Sequence, residues 1–134
     1  MNVAQKYAEL LTSEGYRPIA GEDSSEILFK VEGITFRVVV YEDDPEFVAV
    51  TLSYGIQGEP AIEDTRRIAN EMNANWKVVK TCISPAGDAV RFNFETFAQG
   101  TLAPALLRRA VCALRAASDE FFAELRNESP QARA

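Results

Sequence analysis

Apolar residues recur with two different periods along the chain, and the changes of period divide it into predicted strands and helices. Strict alternation of apolar and polar residues is typical of strands. It predicts five of them, at Glu26–Glu32, Ile34–Glu42, Phe47–Tyr54, Lys77–Ser84 and Ala89–Phe97. A spacing of three to four residues is typical of amphipathic helices. It predicts helices at Asn2–Glu14, from about Ala61 to Met72, and from near Thr101 or Ala103 to about Asn127.

Residues with strong conformational preferences mark several ends of these elements. Asn2 is placed to cap the first helix, and Pro104 stands in the first turn of the last helix, where no N–H donor is needed. Gly33 is placed for a tight hairpin between the first two strands. Asn73 and Asn75 predict the end of the middle helix, because asparagine tolerates the left-handed conformation that terminates helices.

The order of the elements is helix, three strands, helix, two strands and helix, or α-β-β-β-α-β-β-α. Runs of consecutive strands favour an α+β fold over a doubly wound parallel sheet, so we predict a central antiparallel five-stranded sheet packed with helices. A chain of 134 residues is of ordinary size for one domain. We expect residues 1–127 to form that single domain and residues 128–134 to be a flexible C-terminal tail.

The second face of the first three strands is not fully polar, and its apolar residues are candidates for an interaction surface. They are Leu28, Val39, Tyr41 and Phe47. Scattered apolar residues are common on protein surfaces, but such a face can also be covered by another part of the chain, by a partner or by a second copy. If a second copy covers it, the protein is a homodimer. The middle helix, with Arg66 and Arg67, is a further candidate contact, although these arginines can equally be solvated and paired with nearby acids.

The net charge of −6 is unevenly distributed, because the segment Ala20–Asp64 has many acids and only Lys30 and Arg37 as bases. Phosphate contacts need a clustered basic surface, so this distribution argues against nucleic-acid binding. It fits either a solubilising acidic surface or a basic protein partner.

Features of membrane and secreted proteins are missing from the sequence. No apolar run approaches the roughly 18–20 residues of a membrane span, and the start MNVAQKYAEL lacks the basic and apolar regions of a signal peptide. With only Cys82 and Cys112, the chain does not resemble a disulfide scaffold. We therefore expect a reduced, cytoplasmic protein without a membrane partner.

The residue types that most enzymes use are scarce, so we predict a non-enzymatic protein without cofactor or metal. Histidine, the usual general base and a common metal ligand, is absent. Cys112 is expected to be a buried small hydrophobe and Cys82 to be more exposed, neither with an activating neighbour. The acidic turn Glu42-Asp43-Asp44 is the best candidate for a hard-cation site, although it lacks the spacing of a calcium loop. A metal- or small-molecule-binding enzyme that uses this turn is the alternative.

Four stretches of the sequence resemble the YbjN family of small bacterial proteins, whose fold is like that of type III secretion chaperones. They are ITFRVVVYEDDPEFVAVTLSY (Ile34–Tyr54), IANEMNANW (Ile68–Trp76), VVKTCISPAGDAVRFNFE (Val78–Glu95) and the final amphipathic helix. The resemblance implies an α+β fold, frequent dimerisation and a role as a regulator, adaptor or chaperone-like protein that binds a polypeptide partner. The family has no catalytic residues to carry over, and fold alone does not fix function.

Overall fold

The computed structural model describes residues 1–128, and it shows three helices and a single antiparallel sheet. The helices are α1 (Val3–Ser13), α2 (Ile62–Asn75) and α3 (Pro104–Glu128). The strands are β1 (Ile19–Ala20), β2 (Glu26–Val31), β3 (Ile34–Val40), β4 (Phe47–Gly55), β5 (Val79–Ile83) and β6 (Ala89–Phe97). The strand order is β1-β2-β3-β4-β6-β5, with every neighbouring pair antiparallel.

The α+β prediction is confirmed, and the sheet has six strands instead of the expected five. The additional strand is β1, where Ile19 and Ala20 pair with Leu28 and Ile27. A two-residue strand has no alternation that a sequence pattern could reveal, and only its pairing with β2 defines it.

All three helices lie on one face of the sheet, and the core fills the space between the two layers. The predicted apolar side of the strands faces the helices, with Phe36 and Val38 on β3, Val50 on β4 and Phe92 on β6. In the middle of β4 and β6 burial does not alternate, because Ala49, Thr51 and Asn93 on the other side are buried too. The helices contribute an apolar stripe each, which on α3 is Leu107, Ala110, Val111, Leu114, Ala117, Phe121 and Leu125.

Local sequence signals act as expected at several element ends. The Asn2 side chain accepts a hydrogen bond from the Gln5 N–H at 2.8 Å while the Gln5 side chain accepts one from the Asn2 N–H at 2.9 Å, which forms a capping box. Glu32 and Gly33 both have positive φ, at 51° and 81°, between the paired residues Val31 and Ile34. These angles are those of the two-residue hairpin turn that matches the twist of the strands.

Two expectations about individual residues are wrong, the burial of Cys112 and the capping of α2 by Asn73. Cys112 is exposed, whereas Cys82 is half-buried on β5. Cys112 follows Val111, and successive helical residues point about 100° apart, so Cys112 falls outside the buried stripe of α3. Helix α2 continues past Met72 to Asn75, and the Asn73 side chain does not cap it.

Helix α3 includes the first residue of the segment that we expected to be a tail. Glu128, assigned to the tail, is the last residue of α3, and its carboxylate lies 2.9 Å from Arg67 on α2. The remainder of the expected tail, residues 129–134, lies outside the described residues. Over residues 1–128, none of the three helices combines the length and the apolar character needed to cross a membrane.

Candidate functional site

The sheet face that points away from the helices is the candidate functional site, and we call it the open face. Cross-strand partners in an antiparallel sheet point to the same side, so the register defines which residues share it. Its central side chains are Glu26, Leu28, Arg37, Val39, Ala49, Thr51, Ser53, Lys80, Cys82, Arg91, Asn93 and Glu95. All of them except Leu28 and Cys82, together with Tyr41, line a shallow depression of about 320 Å³.

The residues of the open face form rows across the strands. One row joins Leu28, Arg37, Thr51, Asn93 and Lys80, and the next row towards the β3–β4 turn joins Glu26, Val39, Ala49 and Glu95. Ion pairs connect these two rows, since Lys80 Nζ lies 2.7 Å from Glu95 Oε1 and Arg37 Nε lies 3.8 Å from Glu26 Oε2. Charges in the middle of the open face are therefore balanced within the molecule.

The Lys80–Glu95 pair is the shorter contact of the two. A hydrogen bond to Glu95 raises the pKa of the Lys80 ammonium, with the negative charge of Glu95 adding to the effect. Between the ion pairs, Asn93 and Thr51 are buried, and Asn93 Nδ2 lies 3.8 Å from Cys82 Sγ. The centre of the open face is thus polar but tightly packed.

An aromatic cluster occupies the end of the open face next to the β3–β4 turn. The ring centroids of Tyr41 and Phe47 are 5.6 Å apart, and those of Phe47 and Phe97 are 5.9 Å apart in an edge-to-face arrangement. Phe97 is 72% exposed and Tyr41 45% exposed. Exposed and contiguous aromatic rings mark interaction surfaces more often than isolated apolar residues do.

The structure brings together four of the six residues that the sequence singles out. Leu28, Val39, Tyr41 and Phe47 all lie on the open face, as their alternation predicts.

Arg66 and Arg67 lie on α2, in the helix layer behind the sheet. Arg66 Nη2 donates to the Pro85 carbonyl oxygen at 3.5 Å, and Arg67 pairs with Asp64, Glu71 and Glu128. These contacts are within the chain, and neither arginine lies on the open face itself.

The acidic turn lies beside the aromatic cluster. Glu42, Asp43, Asp44 and Glu46 are all exposed, and within residues 1–128 none of them takes part in an ion pair. No group of three or more cysteine, aspartate or glutamate side chains in the described part of the chain has the geometry of a metal site. The alternative hypothesis, an enzyme that uses this turn to bind a cation, therefore finds no assembled cation site in the turn.

A contact at the β5 edge of the sheet could not be predicted from the sequence. The Asn73 side chain of α2 accepts a hydrogen bond from the Thr81 N–H at 2.7 Å and donates one to the Thr81 carbonyl oxygen at 3.0 Å. An edge strand presents unpaired backbone groups that can recruit other strands. Asn73 satisfies both groups of Thr81 and so blocks part of that edge.

A family model matches residues 8–127, and it is described as "Putative bacterial sensory transduction regulator", with the name YbjN. The chain belongs to the YbjN family. The resemblance drawn from the sequence is thereby confirmed over most of the chain. No curated protein matches the sequence.

Three solved structures show that other members of the fold share this architecture. An "uncharacterized protein" from Methanothermobacter thermautotrophicus has a TM-score of 0.70 at 10% identity, covering 95% of this chain and 99% of the other. "YbjN, a putative transcription regulator from E. coli" has a TM-score of 0.61 at 8% identity, covering 90% and 87%. A chain of the "HopA1-SchA Chaperone-Effector Complex" has a TM-score of 0.60 at 9% identity, covering 84% and 90%. At these identities the likeness establishes a type III secretion chaperone-like fold.

Proposed function

We propose that this YbjN-family protein is a non-enzymatic adaptor or chaperone-like regulator that binds protein partners and acts in the cytoplasm as a homodimer. The observation that carries the proposal is the open face. All three helices cover one side of the sheet, while the other side presents the half-buried Leu28 and Val39 and the aromatic cluster, in which Tyr41 and Phe97 are exposed. Antiparallel sheets often have one solvated, polar side, and the middle of the open face fits that description, but the contiguous exposed aromatic rings at its end do not.

Two further points support a binding role over catalysis. The open face contains no histidine, its cysteine is half-buried, and Lys80, Glu26 and Glu95 in its middle are engaged in ion pairs. A protein of the same fold occurs in a chaperone–effector complex, which supports a polypeptide as the class of partner for this chain. The membership of a family described as regulatory points in the same direction.

Sedimentation velocity at micromolar concentration tests the homodimer. We expect a particle of twice the 14.8 kDa chain mass. The double variant Tyr41→Ser/Phe97→Ser removes exposed aromatic surface from the open face and should shift the protein to monomer. The matched control is Val78→Ser, which removes an apolar side chain that is 65% exposed and lies just before β5, outside the aromatic cluster. A wild-type monomer at all accessible concentrations would contradict the homodimer.

The partner-binding role needs a separate experiment. The purified protein is immobilised, proteins retained from a native cell extract are identified, and each candidate is then purified and tested for direct binding by calorimetry. We expect at least one saturable complex with a defined stoichiometry. If no purified candidate binds directly, the adaptor role is wrong, whatever the oligomeric state.

A further inference from the structure

The charges that remain unpaired on the open face lie at its two opposite ends. The β3–β4 turn carries the four exposed acids Glu42, Asp43, Asp44 and Glu46. Near the opposite end of the strands, one row contains Lys30 and Arg91, both exposed and in no ion pair with residues 1–128. Beyond this row lie the Gly55–Ala89 pair and the β5–β6 turn, in which the exposed Asp88 accepts a hydrogen bond from Ser84 Oγ at 2.9 Å. The Tyr41–Phe47 row and the Lys30–Arg91 row are six residues apart along a strand, or about 20 Å. This distance exceeds the Debye length of about 8 Å at physiological salt, so the two ends act as separate charges.

Two identical sheets can stack face to face with a two-fold axis in the interface in two simple ways. If the axis runs along the strands, each row faces the same row of the second copy, which places the acidic turn against the acidic turn. If the axis runs across the strands, rows are exchanged end for end, which places the acidic turn against the Lys30–Arg91 row. Both arrangements keep the strands of the two sheets aligned, as stacked sheets prefer, so the charges decide between them.

We propose that the open faces of two copies stack about a two-fold axis that runs across the strands, near the row of Val38, Val50 and Phe94. This inference rests on the homodimer proposed above and gives it a geometry. The three residues pair with one another in the register of the sheet. They lie midway between the row of Tyr41, Phe47 and Phe97 and the row of Lys30 and Arg91. An axis at this position therefore places the aromatic row of each copy opposite the Lys30–Arg91 row of the other.

The exchange of rows creates one contact with a specific chemistry. On β6, Arg91 and Phe97 are equally distant from Phe94, so Arg91 of each copy faces Phe97 of the other. An arginine guanidinium stacks favourably on an aromatic ring, and the nearby turn acids add opposite charge. Phe97, the most exposed of the large apolar side chains in residues 1–128, is thereby covered by Arg91 of the second copy.

The distribution of charge identifies a second copy as the occupant of this face. A basic polypeptide would complement the acidic turn but would be repelled by Lys30 and Arg91. An acidic polypeptide would complement Lys30 and Arg91 but would be repelled by the acidic turn. A surface that has an acidic end, a neutral middle and a basic end is complementary to itself after the end-for-end exchange. A two-fold interface requires this self-complementarity.

Charge-reversal variants measured by sedimentation equilibrium test the geometry. Arg91→Glu and Asp44→Lys should each raise the dimer dissociation constant by about tenfold, because every reversal occurs twice in a symmetric dimer and each lost contact is modest. The combined variant Arg91→Glu/Asp44→Lys inverts both ends and should recover most of the wild-type affinity. The matched control is Arg109→Glu, an exposed arginine on α3 without an ion pair in the described residues, which should leave the constant unchanged.

The outcomes separate this inference from the function on which it rests. A wild-type dimer that neither single reversal weakens, or that Asp44→Lys tightens, overturns the end-for-end stacking and leaves the homodimer intact. Failure of the combined variant to recover affinity also overturns it. A monomeric wild type overturns both. Circular dichroism verifies the fold of each variant, and Lys30→Glu replaces Arg91→Glu if the latter does not fold.

Discussion

At the scale of single residues, a buried tyrosine connects the two ends of the chain. The Tyr7 hydroxyl accepts a hydrogen bond from the Leu102 N–H at 3.1 Å, across 95 residues of sequence. Tyr7 lies on α1 and is 1% exposed, while Leu102 precedes α3 and is equally buried. Burial raises the pKa of the Tyr7 phenol, and the hydrogen bond from Leu102 opposes that rise only in part. The phenol therefore serves the fold in its neutral form.

Replacing Tyr7 by phenylalanine should destabilise the protein. The Leu102 N–H would remain buried without an acceptor, and such a group costs about 1–3 kcal/mol. Urea unfolding measures the loss, with Tyr16→Phe as the control, since no hydrogen bond from the Tyr16 hydroxyl occurs within residues 1–128. Equal losses in the two variants would contradict the role of the Tyr7–Leu102 bond.

Because the pKa of Tyr7 is raised, we expect the stability of the protein to depend on pH in the alkaline range. A pKa raised in the folded state above the usual tyrosine value of about 10 means that Tyr7 loses its proton first in the unfolded chain. The contribution of Tyr7 to stability is thus complete below about pH 10 and declines as the pH rises further. Tyr7→Phe should lose less stability than wild type between pH 9 and pH 11, as thermal unfolding in that interval would show. A steeper loss in the variant would contradict the raised pKa.

At the scale of secondary-structure elements, α2 protects the edge of the sheet as well as covering its face. Its Asn73 pairs with both backbone groups of Thr81 on the edge strand β5, while its N-terminal Ile62 packs against the β5–β6 turn. Gly87 in that turn has φ +78°, and a Cβ there would lie 2.9 Å from the Ile62 side chain. A larger residue at position 87 would therefore force the Ile62 side chain to shift, and loss of Asn73 would remove the hydrogen bonds to Thr81.

Asn73→Ala should both destabilise the protein and promote association through β5. The Thr81 backbone groups would lose their partners, at a cost of about 1–3 kcal/mol, and would become available to another strand. Asn75→Ala is the matched control, since Asn75 contacts only the Glu71 carbonyl oxygen within its own helix. Chemical unfolding and light scattering on mild heating measure the two effects. If Asn75→Ala aggregates as readily as Asn73→Ala, the edge-blocking role is wrong.

At the scale of the whole molecule, the fold separates a helix-covered side from an open side with balanced charges in its middle and opposite charges at its ends. The core between the helix layer and the sheet stabilises the monomer, and the open face remains for a second copy or a protein partner. In such a molecule, folding and association are linked, because a dimer that forms only from folded chains stabilises the folded state.

This linkage predicts that the melting temperature rises with protein concentration. The increase should be measurable between about 1 and 100 μM, because the stabilisation grows with the ratio of concentration to dissociation constant. Tyr41→Ser/Phe97→Ser should remove the dependence, whereas Val78→Ser should retain it. Differential scanning calorimetry at several concentrations measures the effect, and a melting temperature of wild type that is constant across this range would contradict a folded-state dimer.

The sequence by itself determined the fold class, the approximate bounds of most elements and the two faces of the sheet. Each of these depends on local patterns: alternation placed Leu28, Val39, Tyr41 and Phe47 on one side, and Ala89–Phe97 is a strand with the predicted bounds. The family followed from the same stretches. Cys112 was misplaced because its apolar neighbours suggested burial, whereas its angle around the helix decides its exposure.

Only the tertiary structure decided which distant residues meet. The pairing of β4 with β6, the Asn73–Thr81 contact and the Tyr7–Leu102 bond join residues whose separation in sequence contains no pattern that would predict them. Arg66 and Arg67 were separated from the open face for the same reason, since the position of α2 behind the sheet is a matter of packing. The charge gradient of the open face exists only once the strands are in register, because it is a property of rows across the sheet and not of any one strand.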